Sequence, residues 1–298
     1  MWNKHDHEGT VLDWEGFEAK VAEINGETVE WKQTRHGEQV SEPLYRGQRD
    51  AGWHLLTTLD RQRPGMTLNK YLTIMERIQP RIERIAGKKW PGLRKEISGL
   101  RRNGLGSIWL FPVKSADTET ILSFMVYLRQ HGFPSPLLDW TADPYKAAFF
   151  AFSGVEAETQ KVAIYVFRER VGLGTGCKEE CEARTMALGP DIENTSERHL
   201  KQEAQYTSCV KKSKPGPSLD CYILTDHEQV INEVDADEAG NPLIVANVVT
   251  KYTIPASERR KALATLAQRN IGKRTLFEGT PDDLLEDLWN ELVIDSTV

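Results

Sequence analysis

Arg46 follows Leu44 and Tyr45 and precedes Gly47, at the end of a run, Pro43–Gln48, that reads as a short buried strand breaking at Gly47. A guanidinium in such a place is costly unless an anion meets it. Two anions would serve: a carboxylate from elsewhere in the chain, or a ligand phosphate, which suits the planar fork of donors. Gly47 would let backbone approach that ligand closely. A second set of reactive groups lies in Gln130–Phe152, QHGFPSPLLDWTADPYKAAFFAF. There His131, Asp139, Thr141 and Asp143 form the polar tip of a loop. The tip is read either as a site at the mouth of a buried helix or as a packed turn whose polar groups are hydrogen-bonded.

The elements that must hold these groups follow from local pattern. Pro134 and Pro136 keep the approach to the loop extended. Asp143-Pro144 predicts an N-cap with proline at the first helical position, and Tyr145, Ala148, Phe149 and Phe152 recur at helical spacing behind it. Asp117–Arg129 predicts a helix running straight into the loop, with Ile121, Phe124, Met125 and Leu128 as its stripe. Val11–Ile24 predicts an amphipathic helix stopped by Asn25-Gly26, with a strand at Thr28–Lys32. Leu68–Leu100 predicts one or two helices. Lys161–Phe167, Cys221–Leu224 and Asn247–Ile254 predict strands, and Leu200–Val210 passes from a helix end into a strand near Tyr206. Gly172–Asn194 reads as loop, and helices are expected over Ala256–Asn270 and Asp282–Leu292. With no repeat and no evident linker, the reading is one α+β domain over residues 1–298, with helical elaboration that includes an insertion at 68–129.

The 298 residues carry a net charge of -6, which argues against an overall basic nucleic-acid sleeve. The charge is uneven. Between Arg77 and Arg102, nine basic residues (Arg77, Arg81, Arg84, Lys88, Lys89, Arg94, Lys95, Arg101 and Arg102) face two glutamates, whereas Glu278–Asp295 has seven acids and no base. The basic run is either a solvated helix face or a phosphate-contacting patch for nucleic acid. No apolar run is long enough to span a bilayer and the first ten residues have no apolar core, so no membrane is expected and the cytoplasm is the expected location. Cys177, Cys181, Cys209 and Cys221 fit no metal-ligand spacing and are read as reduced thiols, with no metal expected. There is no P-loop, no GxSxG and no HExxH.

Leu44–Gln48, Trp53–Leu55, Leu59–Arg61 and Gln130–Phe152 resemble the FRG domain, a bacterial family marked by a Phe/Tyr-Arg-Gly triplet and a Leu-Leu-Asp-Trp-Thr run before a helix. The chain departs from that pattern by one residue fewer after His131 and by Ser135-Pro136 where the family has Thr-Arg. Arg198 with Gln202–Thr207, and Ile271–Phe277, fit later parts of the pattern, so the resemblance runs from about Trp14 to Trp289.

The order of parts is similar to that of ADP-ribosyltransferases, which implies an ADP-ribosyltransferase-like mixed sheet core with added helices. By that analogy the catalytic positions are Arg46, Thr141 and Glu203, with Gln202 and Gln205 competing for the last. NAD would be the co-substrate, with Tyr45, Arg46, Gly47, Gln48, His131, Asp139, Trp140 and Tyr206 around it. Cleavage of its nicotinamide–ribose bond passes through an oxocarbenium-like state. Arg46 would meet the pyrophosphate, Thr141 would orient a carboxylate, and Glu203 would stabilise developing positive charge. The resemblance implies a toxin or phage-defence effector that modifies nucleic acid or protein, with an antitoxin protein as its neutralising partner. The alternative is a non-enzymatic module that senses a nucleotide or nucleic acid. A nuclease would need an acid cluster or histidine pair that the sequence does not assemble.

Overall fold

Lys161–Arg170 alternates Val162, Ile164 and Val166 with Ala163, Tyr165 and Phe167, so it is apolar on both faces and needs cover on both. The computed structural model, which describes residues 9–34, 40–104, 119–155, 161–170, 183–188, 197–229 and 246–277, makes this segment an interior strand. In chain order the strands are β1 (Thr10–Val11), β2 (Leu44–Gln48), β3 (Leu138–Thr141), β4 (Lys161–Arg170), β5 (Ala183–Leu188), β6 (Ala204–Lys212), β7 (Tyr222–Leu224) and β8 (Ala246–Pro255). They form one eight-stranded mixed sheet in the order β1-β8-β4-β2-β3-β6-β5, with β7 also on β6. The β1–β8 pair is parallel and the other pairs are antiparallel.

The helices are α1 (Trp14–Thr34), α2 (Thr58–Gln62), α3 (Leu68–Ala86), α4 (Leu93–Asn103), α5 (Glu119–Gln130), α6 (Pro144–Phe152), α7 (Glu197–Lys201), α8 (Arg259–Gln268) and α9 (Lys273–Phe277). The α+β class is therefore observed. No helix among the described residues is long and apolar enough to cross a membrane.

Three apolar clusters hold the layers together. On one face of β4, Val162, Ile164 and Val166 meet α1, α6 and α8 through Trp14, Phe17, Phe152 and Leu266. On the other face, Ala163, Tyr165 and Phe167 meet Leu44, Leu55, Leu138 and Trp140. The third cluster lies under α3, α4 and α5, where Met75, Trp90, Ile97 and Phe124 cover Ala204, Tyr206 and Val210 of β6. Each fully buried large side chain contributes about 1.5–3 kcal/mol. Helices α3, α4 and α5 thus close one end of the sheet, sharing a core with it.

Two local expectations fail. Asn25-Gly26 does not stop α1, and Thr28–Lys32 is helix rather than strand. The Thr28 hydroxyl donates to the Ile24 carbonyl at 2.7 Å, and Trp14, Phe17, Val21 and Ile24 bury one stripe, so packing overrides the turn signal. Part of the expected 172–194 loop is strand β5, drawn into the sheet by six pairings with β6. The expected helix at 282–292 lies outside the described residues, as do Cys177 and Cys181. Cys209 and Cys221 are buried.

Candidate active site

Strands β2, β3 and β6 lie side by side, and a cavity of about 410 Å³ opens over them. Tyr45 is opposite Thr141, Thr141 opposite Ala204, and Asp139 opposite Tyr206, so these residues share one face of the pleat. Phe150 of α6 and Phe277 of α9 form an aromatic wall, ring edge to ring face at 6.0 Å and 88°. The end of α5 supplies Arg129 and Gln130, and the α7 region supplies His199 and Gln202. The Gln202 amide donates to the Leu276 carbonyl at 3.2 Å, tying α9 to the turn before β6.

The loop that delivers Asp139 is built as its prolines require. Ser135, between Pro134 and Pro136, is fully buried and exchanges hydrogen bonds with Thr58. After β3, the Asp143 carboxylate accepts from the amides of Tyr145 and Lys146, and Pro144 opens α6, as predicted. The Thr141 hydroxyl accepts from the Asp143 amide at 3.1 Å and donates to the Gln202 carbonyl at 2.8 Å, joining the β3 end to the β6 start.

The electrostatic centre is a pair of arginines around one carboxylate. Arg129 grips Asp139 with two contacts, Nε to Oδ1 at 3.1 Å and Nη2 to Oδ2. Burial works against the Arg129 charge, but the Asp139 carboxylate outweighs it and holds that guanidinium above its ordinary value. Arg46 receives less. Its Nη1 donates to the Asp139 backbone carbonyl at 2.6 Å, stands 3.9 Å from the carboxylate, and its Nε is buried without a partner. Burial lowers its pKa, with Asp139 only partly compensating. Arg129 was not singled out in the sequence; its only signal is its place at the end of the helix feeding the loop. Pro136 stands where the family pattern has arginine, and the guanidinium that grips Asp139 comes from α5 instead.

The groove is backed by a buried polar chain. Trp140 Nε1 donates to the Thr207 hydroxyl at 2.7 Å, which meets His227 Nε2 at 2.6 Å, and His227 Nδ1 has no partner. Burial first, and the Arg46 charge second, push the His227 pKa down to about 3. The ring is therefore neutral at physiological pH.

Residues 41–160 match the family model of the FRG domain. The chain carries an FRG domain. No curated protein and no solved structure matches it. The FRG match covers β2, the helices α2–α5, β3 and α6, and so includes Arg46, Arg129 and Asp139–Thr141. It is narrower than the stretch from Trp14 to Trp289 over which the sequence resembles the family. The cavity is completed from outside the match, by His199, Gln202, Tyr206 and Phe277.

The expected site residues are only partly gathered. Arg46, Gly47, Asp139, Thr141 and Tyr206 line this cavity. Trp140 and Tyr45 also line it, with side chains in core positions at 3% and 1% exposure. Gly47 serves the helix rather than a ligand: a Cβ there would sit 1.9 Å from the Ala147 carbonyl oxygen. Gln48 faces a second, adjoining cavity. His131 is exposed and packs on Tyr127, ring centroids 4.2 Å apart, so it does not reach the lining. Glu203 is flanked by the lining residues Gln202 and Ala204, but its own carboxylate is about half exposed and paired with Lys146 at 2.8 Å. It is one of two non-glycine residues at positive φ, 47°, among the described residues. All nine basic residues of the 77–102 run are exposed on or beside α3 and α4. Arg101 is drawn into Glu76, Asn69 and Thr73.

Proposed function

We propose that the protein is an NAD-dependent ADP-ribosyltransferase that modifies a macromolecule, acting as a bacterial toxin or phage-defence effector. The observation that carries this reading is Arg46: a nearly buried guanidinium, without a close carboxylate of its own, with an orphaned Nε, on the wall of a cavity flanked by aromatic rings. A diphosphate would supply what Asp139, already taken by Arg129, does not. The cavity volume falls in the range of small-molecule sites. An arginine on β2, a threonine on the neighbouring β3 and a glutamate in the turn just before β6 follow the order of parts in that enzyme class.

In the proposed reaction the C1′–N bond of the nicotinamide riboside breaks. Its electron pair leaves with nicotinamide, and an acceptor lone pair closes on C1′ while the acceptor's proton goes to a base. Arg46 binds the pyrophosphate, Thr141 holds the Gln202 carbonyl and so fixes the turn, and Glu203 is the carboxylate assigned to the oxocarbenium charge. Glu203 must leave Lys146 to act. Glu203 is about half exposed but Lys146 is only 13% exposed, so that step leaves a largely buried ammonium unanswered and costs about 1–3 kcal/mol.

The test is incubation of the purified protein with labelled NAD and cell extract. Loss of NAD and a labelled macromolecule, both absent with Arg46→Lys, support the reading; neither signal with the parent protein removes it. One observation favours a second reading, a nucleotide-sensing module without turnover: Asp139 is the single carboxylate of the lining among the described residues, and it is clamped by Arg129. Calorimetric binding of NAD with no nicotinamide released selects that alternative.

A further inference from the structure

A second cavity, of about 680 Å³, adjoins the first at Arg46, Gly47 and Phe150. Its charged lining among the described residues is Arg46, Arg49 and Arg61, with no carboxylate among them. Arg61 lies close enough to Arg46 to oppose its charge. Arg61 Nη1 donates to the Leu56 carbonyl at 3.1 Å, and Arg49 lies over the Trp53 ring at 5.2 Å. Neither has a carboxylate partner among the described residues. His54 on the same rim pairs with Glu228 at 2.8 Å, and that acid also accepts from the Leu55 amide, so it is used to hold the loop.

Of the three guanidiniums only Arg46 has a carboxylate near it, Asp139 at 3.9 Å and already held by Arg129, so their mutual repulsion is incompletely answered, an arrangement that an anionic ligand relieves. The aromatic beside them sharpens the chemistry. Trp53 is 48% exposed, whereas Trp90, the tryptophan of the basic run on α3 and α4, is 1% exposed. An open indole next to phosphate-binding arginines is the pairing that receives an unstacked base and its backbone. Arg49, Trp53 and Arg61 are all exposed, so the groove is open along its rim and suits a chain passing through.

We propose that this second cavity is a subsite for single-stranded nucleic acid, with a phosphate among Arg46, Arg49 and Arg61 and a base laid on Trp53. The nucleic-acid surface is therefore here rather than on the basic run Arg77–Arg102. Its standing as the acceptor site rests on the transferase reading; the binding itself does not. The shared Arg46–Gly47 edge would bring the acceptor strand next to the cavity proposed for NAD.

The experiment is fluorescence anisotropy of end-labelled 12-residue single-stranded DNA and RNA with the full chain, without NAD. Three variants are compared after a thermal melt has shown each to be folded: Arg49→Gln/Arg61→Gln, Trp53→Ala, and Arg81→Gln/Arg84→Gln on α3. The expected result is a Kd raised about tenfold or more by each of the first two and within twofold of the parent for the third. The log–log salt slope of the arginine double variant should fall by up to about 0.7, for the one phosphate placed among the three arginines. Binding of neither strand by the parent, binding that survives Trp53→Ala, or a loss confined to the α3 variant overturns the proposal. So does a phosphopeptide that binds as tightly and with the same dependence on Trp53. NAD consumption, read separately, keeps the two claims apart. Strand binding without NAD loss leaves this subsite standing and removes the transferase, and NAD loss without strand binding does the reverse.

Discussion

Two arginines on neighbouring strands, Arg168 on β4 and Arg46 on β2, are both largely withdrawn from water, and they are treated differently. Arg168 has Glu27 at 3.0 Å, the Ile24 carbonyl beside it, and the Trp31 ring beneath its guanidinium at 4.3 Å. It lines neither cavity. One of its nitrogens is also unpartnered, but charge and plane are both answered by α1. Arg46 has a backbone carbonyl, a carboxylate 3.9 Å away that belongs to Arg129, and a cavity on each side. The α1–β4 region finishes its arginine for structure, and the β2–β3 region leaves its own open. An arginine that the fold could complete but does not is evidence for a ligand.

The comparison requires β2 to be held as firmly as β4, so that the two arginines differ in partners and not in a loose strand. Gly47 provides the largest effect. A Cβ at this position meets Ala147 O at 1.9 Å and Ala151 N at 2.7 Å, both backbone atoms of α6 that cannot move aside cheaply. Gly47→Ala should cost about 4 kcal/mol or more, seen in urea denaturation or as failure to fold. A cost under about 1 kcal/mol would mean that α6 does not pin β2, and the contrast would lose its footing.

The next effect is in pH. His227 lies behind Arg46 and has its folded pKa depressed to about 3, against an ordinary 6.5. Between those values the unfolded chain binds a proton that the folded chain refuses. Stability is therefore complete above pH 6.5 and falls as pH drops towards 3, by up to about 1.4 kcal/mol per unit. From pH 7 to pH 4 the loss from this group is roughly 3 kcal/mol. His227→Gln, which can still meet Thr207, should flatten that slope, and Arg46→Met should reduce it because the second cause of the depression is removed. An acid slope identical in all three proteins would show that the ring is not held neutral by its surroundings.

A direct contrast is smaller. Glu27→Ala strips Arg168 of its acid and should cost about 2 kcal/mol, less than a fully buried pair because Glu27 is partly exposed. Arg46→Met removes one hydrogen bond and also an incompletely answered buried charge, so stability should stay within about 1 kcal/mol of the parent. NAD loss and labelling should vanish with it. If Arg46→Met proves the more destabilising of the two, the roles are reversed and Arg46 is the structural arginine.

Much of this was readable in the chain because it depended on local rules. Asp143-Pro144 opens α6, Lys161–Phe167 is buried on both faces, and the triplet around Arg46 sits on a strand, each from pattern within a few residues. What was not readable depended on partners distant in sequence. Arg129 is one polar residue at a helix end until β3 brings Asp139 to it. Gly47 looks like room for a ligand until α6 crosses it. Arg49, Trp53 and Arg61 lie in a turn, a loop and a short helix, with no common period to mark them as one groove. Asn25-Gly26 misled for the same reason: its turn signal is local, and the packing of α1 that overrides it is not.

The smallest effect bears on the least settled residue. Glu203 follows α7, its amide donating to the Leu200 carbonyl at 3.0 Å, at φ 47°. That is the left-handed helix-end position where glycine is the unstrained choice. A helix end alone would therefore be better served by glycine, and the backbone gain of Glu203→Gly, up to about 1 kcal/mol, is set against the lost partner of a Lys146 that is only 13% exposed, so stability should stay within about 1 kcal/mol of the parent. Under the transferase reading the same change should abolish labelling by NAD, with Glu203→Gln doing so without the backbone gain. A gain in melting temperature with labelling intact would assign Glu203 to capping only and move the search for the carboxylate to Asp139. A gain with labelling lost would mean that strain is retained there for chemistry, as the orphaned Nε is at Arg46, and would place Glu203 with the unfinished half of the molecule.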